Sequence, residues 1–253
     1  MKKNRFIKLA SGLLVLCLMT TCVIGATLAK YTTAKDTQDS ARVAKWGVRI
    51  SAATSSAFAT EYAKQDTGYA GTLSVQSSST DKVVAPGTSG SAAQFSISGK
   101  PEVAVRLSFA MTDVKEVKLT IGTYTNTDGA TVTLDSDYNP IKWTLKKNDT
   151  HGEGADTNVE GAVNLTLAEM ATFLSTYHVD YDPNTDLSAT VPTYKLYWAW
   201  AFNVNTDADK ADSILGDLAA SVSGILKDGV AIDTTDYSTV VSYTLTITAT
   251  QID

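Results

Sequence analysis

The histidines His151 and His178 stand 27 positions apart. A zinc protease needs two histidines one helical turn apart, with a glutamate between them, so that both rings reach one ion. That spacing is absent, and both histidines read as surface loop residues. No G-x-S-x-G turn, phosphate loop or dinucleotide fingerprint occurs; "SISGK" at 96–100 ends like a phosphate loop but lacks the upstream glycine. Oxygen donors alternate at Asp180, Asp182, Asn184 and Asp186, as they can in a calcium loop. Pro183 intrudes, Thr185 stands where such a loop wants glycine, and Val191 where it wants a bidentate glutamate. A solvated turn is therefore the stronger reading. Trp198 and Trp200 could form a sugar-stacking platform, but their face also carries Leu196 and Phe202, which favours a core stripe. This inventory predicts no cofactor and no catalysis.

The elements that would position these side chains are mostly strands. Period-two alternation puts Val103, Val105, Leu107, Phe109 and Met111 on one face, with Arg106 and Ser108 on the other. The same pattern recurs in Val117, Leu119 and Ile121; in Ile141, Trp143 and Leu145; and in Tyr194, Leu196, Trp198, Trp200 and Phe202. A last strand sets Val241, Tyr243, Leu245, Ile247 and Ala249 against a row of Ser and Thr. One-sided strands belong to antiparallel sheets with one wet face, and two such sheets make a sandwich. Pro86-Gly87 and Asp128-Gly129 mark turns. Residues 51–71 read as a long irregular connection and 147–158 as a long polar loop. Two segments read as helices. Thr166 and Glu169 have capping-box spacing ahead of a stripe of Leu167, Met170, Phe173 and Leu174. Acidic residues open the stretch from Thr206, whose apolar face is Ile214, Leu215, Leu218 and Val222.

The first 29 residues are a secretory signal by pattern: Lys2, Lys3, Arg5 and Lys8, then an apolar run, then small residues. Cleavage after Ala29 would make Lys30 the new N-terminus and leave 30–253 as a single sandwich domain. An uncleaved membrane anchor is the competing reading, since about 20 residues span a bilayer. Cys17 and Cys22 both lie in this segment, so the mature chain would hold no disulfide, thiolate metal site or cysteine nucleophile. Trimming would leave 17 basic against 27 acidic residues, a net charge of −10. Such a surface repels nucleic acid and makes self-assembly sensitive to salt.

Three features make the chain resemble the TasA/camelysin family of secreted Gram-positive matrix proteins. They are the head "GATLAKYT" with "SARVAKWGVRIS" after a polar spacer, the turn "VVAPGTSGSAAQFSIS", and the closing "VVSYTLTITATQID". The resemblance implies cleavage by a SipW-type signal peptidase and a jelly-roll-like antiparallel β-sandwich with two short helical insertions. It also implies extracellular fibres built by exchange of an N-terminal donor strand. Camelysin members are regarded as metalloproteases as well, an activity that no zinc motif here supports.

Residues 30–40 would then form an arm on the mature chain. Eleven extended residues reach roughly 36 Å at about 3.3 Å each, enough to lie along a neighbour's sheet edge. Five to eight backbone hydrogen bonds at about 1 kcal/mol net give roughly 5–8 kcal/mol before ordering costs. Tyr31, Ala34, Val43 and Trp46 are the side chains expected to add to this. The expected partners are further copies of the chain or related matrix subunits, and signal peptidase during export, with no nucleic acid and membrane contact only through the uncleaved signal. The expected location is the extracellular matrix or cell surface of a Gram-positive bacterium. A monomeric surface adhesin or carbohydrate-binding module is the alternative.

Overall fold

The computed structural model describes residues 3–27, 41–53, 56–64, 72–148, 155–202 and 205–252. The chain divides into two units, Met1–Val43 and Ala44–Asp253. The first contains helix α1 (Lys3–Thr27), whose Phe6, Ile7, Leu9 and Leu13 are exposed.

The second unit begins with β1 (Arg49–Ala53), β2 (Glu61–Ala63), β3 (Leu73–Gln76), β4 (Ser89–Ser98) and β5 (Val105–Lys115). Next come β6 (Lys118–Leu119), β7 (Gly122–Thr125), β8 (Thr131–Leu134), β9 (Ile141–Asn148) and β10 (Thr157–Asn158). They are followed by α2 (Leu167–Thr176), β11 (His178–Tyr181), α3 (Leu187–Thr190), β12 (Thr193–Trp200) and α4 (Thr206–Ala219). The last are β13 (Leu226–Lys227), β14 (Val230–Ala231), β15 (Tyr237–Ser238) and β16 (Ser242–Gln251).

The chain forms the all-β antiparallel sandwich that the alternation predicts. One sheet has the order β1-β4-β12-β9-β10 and the other β11-β5-β16. Aromatic rings join them across the core. Phe109 of β5 lies 5.5 Å from both Phe95 of β4 and Tyr194 of β12, and Tyr243 of β16 meets Trp143 of β9 at 5.3 Å. Such pairs add to the burial of their large apolar area. A four-stranded sheet (β14-β13-β7-β8) and the pairs β6–β15 and β2–β3 flank these layers.

The helices form where their caps permit. Thr166 accepts from the Glu169 amide while Glu169 reaches back to the Thr166 amide, so α2 has both halves of its capping box. Its Leu167, Met170 and Leu174 are buried. Asn205 caps α4, Asp207 and Asp209 occupy its first turn, and Ile214, Leu215 and Leu218 face the core. Gly87 has φ +82° and Thr88 N donates to Ala85 O at 3.1 Å, which makes Pro86-Gly87 the centre of a type II turn. At the other turn Gly129 has φ +82° and follows Thr127-Asp128, a three-residue loop in which Asn126 N donates to Ala130 O.

Several expectations fail for identifiable reasons. Phe202 is 67% exposed because β12 ends at Trp200, so the alternation no longer applies to it. Ile121 is 57% exposed because β6 ends at Leu119 and the chain bends at Ile121 before β7 opens at Gly122. Val222 lies beyond the end of α4 and is partly exposed. The connection 51–71 contains part of β1 and, at 61–63, a strand that pairs with β3. A third, one-turn helical insertion, α3, occupies the end of the presumed calcium loop. His178 opens strand β11 instead of lying in a loop, whereas His151 is outside the described residues.

Candidate assembly site: the arm root and the open sheet edges

The first strand starts later than the sequence suggests. Residues 41–48 carry no strand, and β1 begins at Arg49, because Gly47 adopts φ +59° and breaks extension. Val43 is 91% exposed and Trp46 is partly exposed, so both precede the strand instead of belonging to it. Ala29, Lys30, Tyr31 and Ala34 lie outside the described residues.

From Lys45 onward the chain is fixed to the sandwich. Lys45 N donates to Glu102 Oε2 at 2.9 Å, and Glu102 N returns a bond to Lys45 O at 2.8 Å. Gly99 (φ +120°) passes so close that a Cβ there would stand 2.2 Å from the Gly47 carbonyl oxygen. Only glycine permits that approach.

The oxygen-rich segment at 180–186 supports this root. Asn184 N donates to Pro101 O at 2.7 Å and Leu187 N to Gly99 O at 2.9 Å, while Ser188 Oγ accepts from Gly99 N at 3.3 Å. The four presumed calcium donors are spread over separate tasks. Asp180 on β11 takes two hydrogen bonds from Arg106 on β5, at 2.7 and 2.6 Å, which hold its carboxyl below the ordinary range. The main-chain oxygen of Asp182 closes a turn with Thr185. Asn184 sits at φ +65°, where asparagine is tolerated. Asp186 caps α3 through Ser188 N at 3.1 Å. Among the described residues, no three His, Cys, Asp or Glu side chains gather where they could hold a metal ion.

Among the described residues, two long-sheet edges are open. β1 pairs only with β4, from Arg49↔Ser98 to Ala53↔Gln94. β16 pairs only with β5, and its register runs from Ser242↔Lys115 to Gln251↔Val105. In β16, "SYTLTITATQ", Tyr243, Leu245, Ile247 and Ala249 are half-buried, while Thr244, Thr246, Thr248 and Thr250 are exposed. The strand has ten residues and no charged side chain or proline. Edge strands are usually blunted by lysine, proline, a bulge or short length, because a bare row of N–H and C=O groups recruits other strands. Here a register shift near Ser242 disturbs only the beginning of the strand. At about 3.3 Å per residue the edge runs roughly 33 Å. The sequence contained this signal in its closing Thr/apolar alternation, but which strands end up at an edge is decided by long-range pairing.

Trp198 is 2% exposed and donates its indole N–H to Ala57 O at 2.7 Å; Trp200 is buried and donates to Asp212 at 3.1 Å. Both indoles thus belong to the core, and neither offers a sugar-stacking surface.

No protein-family model, curated protein or solved structure matches the chain.

Proposed function

We propose that this protein is a secreted structural component of the cell surface or biofilm matrix, assembling into fibres by strand addition after its leader is removed. In this reading residues 30–40 of one copy lie along the β16 edge of the next. The observation that carries it is that edge: ten residues, paired among the described residues on one side only, without a charge to blunt it. The lengths agree, roughly 36 Å of extended arm against roughly 33 Å of strand. The arm root adds support, because a segment pinned from Lys45 gives the preceding residues a fixed point of departure. The resemblance to the TasA/camelysin family, a SipW-type processing event and a Gram-positive extracellular setting belong to the same proposal. Cleavage would then serve as the trigger, since the arm cannot begin at Lys30 while the leader is attached.

The test compares the chain starting at Lys30 with one starting at Ala41 by electron microscopy and sedimentation. Filaments from the first and monomers from the second are expected. Equal behaviour of the two would overturn the proposal.

A further inference from the structure

A lysine, an asparagine and an aspartate meet at one end of the five-stranded sheet, on its outward face. Asn148 closes β9 and is 1% exposed, an uncommon degree of burial for an amide side chain. Its cross-strand partner on β12 is Thr193, also buried, and Lys195 stands two residues further along β12. That is a diagonal cross-strand position, about 7–8 Å away, which a lysine side chain can span. Asp156, just before β10, joins the two. Its Oδ1 accepts from Asn148 Nδ2 at 3.0 Å and from Lys195 Nζ at 3.2 Å. Its Oδ2 accepts from the same Nζ at 3.2 Å and from the Tyr197 hydroxyl. The amine and the amide thus share one carboxylate oxygen. The Lys195 and Asp156 side chains are 21% and 15% exposed, so the group is largely withdrawn from water. The Tyr197 hydroxyl, then Asn148 and Lys195, hold the Asp156 carboxyl below the ordinary range, which keeps it an acceptor for protons.

We infer that Lys195 and Asn148 condense into an intramolecular amide that ties β9 to β12, with Asp156 as the catalytic base and acid. Asp156 takes a proton from the Lys195 ammonium, and the freed lone pair on Nζ forms a bond to Asn148 Cγ. The carbonyl π pair moves to oxygen and returns as the Cγ–Nδ2 bond breaks, its electron pair leaving on nitrogen. Asp156 relays two protons in all from Nζ to Nδ2. The leaving group therefore departs as ammonium, and Asp156 returns to the carboxylate. Nothing is oxidised or reduced, and no co-reactant is consumed.

The fold favours this step in three ways. Packing holds amine, amide and carboxylate together, which makes the reaction unimolecular. Lys146 stands directly opposite Lys195, a like-charge pair that costs stability, and the new amide removes one of the two charges. Both cysteines of the chain lie in its first 29 residues, so no disulfide ties these strands. An amide from Asn148 to Lys195 closes the intervening loop and constrains the unfolded chain as a disulfide does. The inference is independent of fibre assembly.

Mass spectrometry of the purified full chain tests it. The chain should be lighter than its sequence by one ammonia. Trypsin should no longer cut after Lys195, and after digestion at acidic residues the fragments carrying Asn148 and Lys195 should remain joined. Lys195→Arg keeps the positive charge beside Asp156 and should restore the full mass with an unchanged circular-dichroism spectrum. Asp156→Ala should also restore it, whereas Lys142→Arg should keep the deficit. A wild-type chain of full mass would overturn the inference, as would a link that survives Asp156→Ala. Loss of water in place of ammonia would make Asp156 the acylated residue and overturn it too. So would an ammonia deficit with fragments that separate, which marks a succinimide at Asn148.

Discussion

The outward side of β16 shows Thr244, Thr246, Thr248 and Thr250, whereas the outward side of β9 and β12 shows Lys142, Lys146 and Lys195. Both sheets bury the same kind of inner face, with Leu107 and Phe109 on one and Trp143 and Leu196 on the other. Their exteriors diverge in charge, and so do their edges. The three-stranded sheet ends in a long neutral strand, and the five-stranded sheet ends in β1, whose first residue is Arg49, and in the two-residue β10. A neutral long edge favours backbone pairing, and a lysine-bearing face resists stacking on a second copy of itself. The same fold thus separates a neutral, uncharged edge from a face that carries lysines paired in part with carboxylates.

The largest effect should come from the shared core. Phe109 lies 5.5 Å from Phe95 and Tyr194 and 5.4 Å from Tyr177, so it joins both sheets to the segment after α2. Phe109→Ala should lower unfolding stability by about 3–5 kcal/mol. Tyr243→Ala, at a half-buried position facing Trp143, should cost roughly half of that. Urea denaturation of the two variants measures the ratio, and equal losses would mean that the core is not centred on Phe109.

Gly99→Ala comes next. It places a methyl group 2.2 Å from the Gly47 oxygen and forces a side chain into φ +120°. A cost of about 2–3 kcal/mol is expected, mainly as release of the segment around Lys45 and β1. Amide exchange should show it as lost protection at Ala52 and Lys45 with little change in β16. Loss spread evenly over both sheets would show that the root is not a separate element.

How much of this was legible beforehand depends on the range of the interaction. Alternation located Leu107, Phe109, Trp143, Leu196 and Trp198 in the core, because the inward or outward sense of a strand residue is a local property. The Thr166/Glu169 cap was readable for the same reason. The limits of strands were harder. Gly47, at positive φ, delays β1 to Arg49, and the bend at Ile121 separates β6 from β7 where the apolar pattern would run on; Gly47 in "KWGVRIS" was the available warning. The role of Asp180–Asp186 could not be read, since it depends on Arg106, Pro101 and Gly99, all distant in sequence. The pairing of Lys146 with Lys195 could not be read either, because the two become neighbours only through the β9–β12 register.

A smaller, pH-dependent effect is expected at Asp212 of α4. Burial is the main cause that pushes its carboxyl above the ordinary range, although Tyr138 Oη and Trp200 Nε1 donate to the same oxygen at 2.7 and 3.1 Å, and Asp209 one turn earlier adds repulsion. A raised carboxyl favours the protonated form on folding. Its contribution is therefore complete below the unfolded pKa, about 3.9, and is lost as pH rises through the elevated folded value. Asp212→Asn keeps a carbonyl acceptor for both donors and removes the desolvated charge. It should match the parent near pH 4 and exceed it at pH 7 by at most about 1 kcal/mol, because part of the carboxylate remains in reach of water. Urea midpoints across that range decide it; a parent that gains on the variant with rising pH would reverse the sign.

The smallest change in stability should accompany the largest change in assembly. Thr246 and Thr248 are exposed on β16, opposite Ala110 and Ser108 of β5. Replacing both with lysine adds charge to the neutral edge without touching the inward Leu245 and Ile247, so stability should stay within about 0.5 kcal/mol. A strand laid along this edge would meet two ammonium groups beside its own backbone, the device by which edge strands are ordinarily kept unpaired. Filaments of the chain starting at Lys30 should therefore disappear while its circular dichroism and urea midpoint are retained. The matched pair Lys142→Gln and Lys146→Gln should leave filaments intact, because those residues lie on the other sheet. If the threonine variant still polymerises and the lysine variant does not, the two surfaces have been assigned the wrong way round, and the five-stranded sheet is where copies meet.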